Sequence, residues 1–152
     1  MQKITFTTII LKSLVLVGFL SFAGLAQSAQ GVWTEGFGQG NLEYFIDNKT
    51  ARLYISCPTS DGSADAMSGV SLTVNGKEIT KFELIVGSYS FDGPFEAASR
   101  VDSDNFKVLM TELRKNDAIV KFRDTTIVFP KSNASKVIPK VNSNDFVCNT
   151  SF

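Results

Sequence analysis

The chain of 152 residues carries 15 Lys plus Arg against 15 Asp plus Glu, and it contains no histidine. A formal net charge of zero lacks the basic footprint that nucleic-acid binding demands. The absence of histidine removes an essential member of the Ser-His, Cys-His and common zinc arrangements. We therefore expect no nucleic-acid partner, no metal site and no cofactor, and we predict that the protein is not an enzyme.

Residues 1–28 have the layout of a secretory signal peptide. Lys3 and Lys12 precede an apolar run from Leu14 to Leu25, and a segment of mainly small residues follows it. The run is shorter than the ~20 residues that span a bilayer. We predict a cleaved signal, a single domain over residues 29–152, a periplasmic or secreted location and no integral membrane segment after cleavage. The lysine-punctuated signal favours a bacterial source.

The only cysteines are Cys57 and Cys148. Disulfides persist in exported proteins, so an even cysteine count behind an export signal predicts that these two residues form a bridge. Such a bridge would tie the start of the domain to its end. Free thiols are the alternative.

Alternating apolar residues predict antiparallel strands after residue 41. The alternation over residues 42–46 runs to Asn48-Lys49, which predicts a two-residue hairpin loop that pairs Ile46 with Ala51. Asn75-Gly76 is the strongest hairpin signal in the chain and follows the alternation of residues 70–74. We expect the strand that begins at Ala51 to end at Cys57.

The return strand from Lys77 is expected to pass through a bulge or kink into residues 82–86, because the parity of the apolar positions changes there. Gly87 predicts a bend. The alternation then continues through Tyr89 until Asp92-Gly93-Pro94, which predicts a turn.

One amphipathic helix is predicted at about residues 104–115, with cap oxygens from Asp102 to Asp104. An apolar stripe recurs at helical spacing at Phe106, Leu109, Met110 and Leu113. The predicted fold class is therefore mainly β, an antiparallel β-sandwich or a curled barrel-like sheet with this helix packed on it.

Residues 118–129 predict another hairpin about Asp124-Thr125, with Phe122 opposite Ile127 and Val120 opposite Phe129. Residues 132–138 predict one helical turn. The tail at residues 146–148 is extended enough to reach the first hairpin.

Few residues suggest catalysis or ligand binding. Glu35 with Glu43, or Asp92 with Glu96, are carboxylates that acid-base catalysis would need as a pair. Asp61, Ser63 and Asp65 have the alternation of a short calcium loop, and the glycines at 36, 38 and 40 resemble a phosphate loop without its strand and helix. We favour a solvated surface for the carboxylates, a solvated loop for the calcium pattern and a flexible lead-in strand for the glycines.

Aromatic side chains in segments predicted as turns or lead-ins are the best interaction signal. Aromatics are enriched at the centres of protein interfaces, although each one also fits a core. The candidate partner-binding residues are Tyr89, Phe91, Phe95, Trp33 and Phe37.

The leading functional hypothesis is a non-enzymatic periplasmic or secreted binding protein whose partner is another protein. An inhibitor or immunity protein against a cell-wall hydrolase would be an example. A structural subunit of a surface or envelope assembly, joined through edge strands, is one alternative. A carboxylate-dependent hydrolase is the other.

Overall fold

The computed structural model describes residues 30–38, 40–59 and 66–150. The predicted signal peptide and the candidate calcium loop with Asp61, Ser63 and Asp65 lie outside the described residues. Among the described residues, no helix has the length and apolar character needed to cross a membrane.

Two antiparallel sheets pack against each other, which confirms the predicted fold class. The larger sheet has the strand order β1-β2-β3-β4-β5, and a sixth strand, β8, also pairs with β4. Its strands are β1 (Thr34–Gly38), β2 (Asn41–Asn48), β3 (Ala51–Pro58), β4 (Gly69–Val74), β5 (Lys77–Glu78) and β8 (Phe95–Glu96).

The smaller sheet has four strands in the order β10-β9-β6-β7. They are β6 (Phe82–Val86), β7 (Tyr89–Gly93), β9 (Ala118–Phe122) and β10 (Thr125–Phe129). Helix α1 (Arg100–Leu113) contacts β6 and β8, so it touches both sheets, and the short α2 (Ala134–Val137) supplies the predicted single helical turn.

The core lies between the sheets and beneath α1, as the alternation predicted. In the larger sheet the inward side chains include Ile46, Leu53 and Leu72, each with 0% exposure. The helical stripe is also fully buried, at Phe106, Leu109, Met110 and Leu113.

Helix α1 begins at Arg100, four residues before the predicted start, and ends at Leu113 rather than residue 115. Ser99, not the Asp102–Asp104 segment, is the cap, because its hydroxyl accepts a hydrogen bond from the Asp102 backbone N–H at 3.1 Å. The extra first turn carries Val101 at 68% exposure. The buried residue of this turn is the polar Ser103, so the pattern of apolar residues could not reveal it.

The first hairpin is real, but its predicted register is wrong. Ile46 pairs with Leu53 and Asn48 with Ala51, so the loop is Lys49-Thr50. Lys49 itself takes the left-handed conformation, with φ of 55°. A shift of two residues leaves every side chain on its predicted face, which explains why alternation alone could not detect the error.

The hairpin of β9 and β10 shows the same kind of shift. Ile127 pairs with Val120 and Thr125 with Phe122. The loop is therefore Arg123-Asp124 rather than Asp124-Thr125, and Arg123 has a φ of 49°. The predicted faces are again kept.

The Asn75-Gly76 hairpin has the predicted loop, with Val74 paired to Lys77. The parity of the apolar positions changes after Lys77 because the chain leaves the larger sheet after β5 and enters the smaller sheet as β6. The expected bulge or kink is therefore a crossing between the two sheets. Gly87 lies in a hairpin loop, since Val86 pairs with Tyr89 across it, and its φ of 63° is one that glycine adopts without strain.

The predicted disulfide is present. Cys57 at the end of β3 and Cys148 in the tail are bonded, with Cα atoms 4.3 Å apart. Both half-cystines are buried. The tail is thereby fixed against the larger sheet.

Candidate functional site

Three of the predicted partner-binding residues form one stacked row of rings. The centroids of Tyr89 and Phe91 lie 6.4 Å apart with 21° between the ring planes. Those of Phe91 and Phe95 lie 6.2 Å apart with 20° between the planes. We call these three residues the aromatic row. Tyr89 is 46% exposed and Phe95 is partly buried. Phe91 is only 7% exposed and belongs to the core, so the expectation that it contacts a partner directly is corrected: it supports the two rings beside it.

The segment that contains Gly93-Pro94 connects Phe91 to Phe95, the last residue of the aromatic row. The Gly93-Pro94 peptide bond is cis. Gly93 packs directly under the ring of Phe82, because a Cβ atom placed at position 93 would lie 2.3 Å from that ring. Only glycine fits this position without movement of a buried phenylalanine. Phe95 then enters β8 and pairs with Val70 of β4.

A groove of about 500 Å³ lies beside the exposed side of Phe95. Its lining also contains Pro94 and the hydroxyl-bearing Ser56 and Ser71. Two carboxylates, Glu78 and Glu96, belong to the lining, and none of the described lining residues is basic. We call this cavity the acidic groove.

The sheet surface next to the groove is a polar network with its own partners. Arg52 contacts both carboxylate oxygens of Asp47, at 2.7 and 2.9 Å, and its guanidinium lies 4.4 Å from the ring centroid of Phe45. The hydrogen bond from Arg52 to Asp47 raises the pKa of the guanidinium.

Tyr54 is the neighbour of Ser71 across the β3–β4 pair. Burial, followed by its hydrogen bond to Glu43, raises the pKa of Tyr54 to about 12. The tyrosine is therefore a hydrogen-bond donor at neutral pH. Because these groups are already paired with one another, the acidic groove is the better candidate for an external ligand.

The other two candidate residues do not join the aromatic row. Trp33 is only 2% exposed and belongs to the core. Its backbone N–H donates to the side-chain oxygen of Asn133 at 3.0 Å. The expectation that Trp33 is available to a partner is therefore corrected.

Phe37 is 70% exposed. It lies on β1, at the opposite edge of the larger sheet from β8. The structure thus separates Phe37 from the aromatic row by the full width of the sheet.

Neither carboxylate pair considered from sequence comes together at one cavity. Glu35 lies opposite Tyr44 and Glu43 opposite Gly36, so the two glutamates point to opposite faces of the sheet. Asp92 lines a different cavity of about 660 Å³, whose lining mixes acidic residues with Lys81, Lys121 and Arg123. Within the described ranges, no three metal-binding side chains cluster.

Sequence reasoning missed Glu78, Ser56 and Ser71 as groove residues. They lie on separate strands that the sheet brings side by side, so no local motif connects them. The only available signal was the solvent-facing parity of Ser56 and Ser71 in their strands.

The fold and the groove define a disulfide-bonded two-sheet β domain with an acidic surface groove. A family model described as YfjT matches residues 31–138, and the chain belongs to that family. No curated protein and no solved structure matches the chain significantly.

Proposed function

We propose that this protein is a non-enzymatic binding domain of the periplasm or the extracellular space, acting on a protein partner through the acidic groove. The observation that carries the proposal is the aromatic row ending in the wall of a groove with two carboxylates and no described basic residue. Aromatic anchors beside a pocket supply much of the energy of protein interfaces.

The aromatic row suits an interface because its central ring is fixed. Phe91 is 7% exposed and stacks on both neighbours. The close packing of Gly93 under Phe82 restricts the backbone two residues before Phe95. A contact residue that is already ordered loses less conformational entropy on binding.

The charge of the groove indicates the chemistry of its partner. Glu78 and Glu96 would pair with a basic side chain that enters the groove, and the hydroxyls of Ser56 and Ser71 would accept or donate hydrogen bonds. The most specific form of this proposal is an inhibitor or immunity protein against a cell-wall hydrolase. It would block that enzyme by holding one of the enzyme's basic side chains in the acidic groove. The sequence features that suggest a bacterial exported protein support it.

The proposal is tested by affinity capture from an envelope extract, followed by affinity measurement with each captured protein. Phe95→Ala should weaken binding by about 2 kcal/mol, as loss of an aromatic anchor does. Glu96→Gln should weaken it and reduce its salt dependence. Phe146→Ala is the matched control, since Phe146 is also a partly buried phenylalanine packed on the core, but it lies in the tail beside Cys148.

Melting temperatures of the same variants separate binding from folding. Wild-type affinity in Phe95→Ala, or an equal loss in Phe146→Ala, would refute the role of the groove. A partner that binds Phe95→Ala and Glu96→Gln as tightly as the wild type contacts some other surface.

One observation favours the structural-subunit alternative. Strand β1 is an edge whose partner among the described residues is β2, and it presents Phe37 at 70% exposure. Edge strands can pair with another chain. Sedimentation over a range of concentrations tests this alternative: assembly that is lost in Phe37→Glu and kept in Phe95→Ala would favour it over the groove.

A further inference from the structure

A third cavity, of about 470 Å³, lies where the end of α1 meets α2 and the segment that follows it. Its lining contains three basic residues, Arg114, Lys115 and Lys140, together with Ser135 and Asn142, and no described lining residue is acidic. We propose that this basic cavity binds a phosphate group. The inference does not depend on the acidic groove.

The donors of the cavity are only partly used within the protein. Arg114 donates through Nη1 to the backbone oxygen of Ile138. A guanidinium has five N–H donors in a planar fork, so this bond orients the group and leaves further donors for a ligand. The guanidinium is thus held at the cavity wall by its own backbone contact.

Two further lining residues supply donors that have no partner in the described part of the chain. Lys140 is exposed, and neither its ammonium nor the hydroxyl of Ser135 has a hydrogen bond or ion pair among the described residues. The other lysine of the cavity is different: Lys115 contacts Glu112 at 3.3 Å. Arg114, Lys140 and Ser135 are therefore the groups that a ligand would meet.

The end of the helix does not account for this arrangement. Basic residues near a helix C-terminus complement its partial negative charge, which is sufficient reason for Arg114 and Lys115. Lys140 and Ser135 come from the segment at residues 131–144, which contains Lys131, Lys136 and Lys140 but no acidic residue. The cavity therefore brings Arg114 and Lys140 together from two separate elements, with no described acidic residue in its lining.

A phosphate group fits these donors better than a single carboxylate does. The guanidinium fork matches phosphate oxygens in a bidentate manner, and an ammonium adds a point charge. A cavity of 470 Å³ exceeds one inorganic phosphate, so the group could be free or part of a lipid headgroup. The two sources share the same contacts.

The test uses two arms with the purified protein. In the first, ¹⁵N-labelled protein is titrated with inorganic phosphate at constant ionic strength, and sodium chloride is the parallel titrant. In the second, flotation compares vesicles of phosphatidylglycerol and phosphatidylcholine with vesicles of phosphatidylcholine alone. The variants are Lys140→Gln, Arg114→Lys and the matched control Lys77→Gln, which removes an exposed lysine at the start of β5.

We expect saturable shifts of the Ser135 and Asn142 amides with phosphate but not with chloride. Lys140→Gln should weaken binding about fivefold, which corresponds to roughly 1 kcal/mol, whereas Lys77→Gln should not. Arg114→Lys should weaken binding by loss of the fork. Melting temperatures verify that the variants are folded.

Phosphate binding in the first arm assigns the site to a free phosphate ligand. Selective flotation with phosphatidylglycerol that is lost in Lys140→Gln, without shifts from free phosphate, assigns it to a lipid headgroup. Absence of binding in both arms overturns the inference. Equal responses to phosphate and chloride, or equal losses in Lys140→Gln and Lys77→Gln, overturn it as well.

Discussion

Asn133 and Trp33 exchange two hydrogen bonds across a sequence separation of 100 residues. The Trp33 backbone N–H donates to Asn133 Oδ1, and Asn133 Nδ2 donates to the Trp33 carbonyl, each at 3.0 Å. The side-chain amide of Asn133 therefore pairs with the backbone just before β1 in the way that a neighbouring strand would. Its side chain makes no cap bond to α2, which it precedes.

Asn133→Ala should lower the free energy of unfolding by about 2 kcal/mol, because the backbone N–H and the backbone carbonyl of Trp33 both lose their hydrogen-bond partner. Asn133→Asp keeps the acceptor and loses the donor, so we expect an intermediate loss. Urea unfolding measures both. Asn144→Ala, at an exposed position, is the control, and an equal effect there would contradict the role of the pair.

The disulfide should contribute strongly to stability because it encloses a loop with a sequence separation of 91 residues. The chain-entropy estimate for replacing both cysteines with serine is a loss of about 4 to 5 kcal/mol as an upper figure. Unfolding of the wild type with and without reductant provides the measurement. The double variant should not respond to reductant, and alkylation of the unreduced native protein should add no mass.

The stripe of α1 predicts a clear contrast between two positions on one helix. Leu109 has 0% exposure, so Leu109→Ala should cost about 2 to 5 kcal/mol. Asn105 is exposed, and Asn105→Ala should change stability by less than about 0.5 kcal/mol. Similar values from denaturant unfolding would mean that the stripe does not face the core. Glu112 is unsuitable as the exposed control, since it accepts a hydrogen bond from Asn116 at 2.9 Å.

Tyr54 predicts a loss of stability at high pH. Its pKa is raised from 10.0 to about 12 in the folded protein by burial and by the hydrogen bond to Glu43. A raised folded-state pKa means that the stabilisation is complete below the unfolded value and is lost as the pH rises through the folded value. The free energy of unfolding should therefore fall between about pH 10 and pH 12 in the wild type and fall less in Tyr54→Phe.

Ultraviolet titration of tyrosinate tests the cause of the raised pKa of Tyr54. Glu43→Gln removes the charge that helps to raise the pKa of Tyr54, so it should move this ionisation to lower pH. Glu83→Gln, on the other sheet, should not move it. An unchanged titration in Glu43→Gln would contradict the assigned hydrogen bond.

Some features were determined by local chemistry alone. Alternation identified the inward side chains of the hairpins, and the stripe from Phe106 to Leu113 identified the buried face of α1. The Asn75-Gly76 dipeptide identified its own loop. In each of these cases the signal lies in adjacent residues, so it survives without knowledge of the rest of the fold.

Other features depended on contacts between distant segments. Asn48, Asn133 and Asn149 each begin a glycosylation triplet in the sequence, yet in the structure each side-chain amide donates to a remote backbone oxygen. The acceptors are Val128 at 2.7 Å, Trp33 at 3.0 Å and Ala66 at 2.9 Å. The triplet is a local pattern that marks a possible glycosylation site. The hydrogen-bond partner of each amide depends instead on which distant segments the fold places together.

The sequence by itself determined the fold class, the faces of most strands and the pairing of its two cysteines, because hydrophobic period and an even cysteine count act through local pattern and simple counting. Only the tertiary structure decided the registers of the β2–β3 and β9–β10 hairpins, the burial of Trp33 and the two charged cavities. A register shift of two residues leaves every side chain on the same face of the sheet, so the alternation of apolar residues cannot detect it. The cavities combine residues from separate strands or from a helix end and a distant segment, and their charge arises only when the sheets and the tail pack.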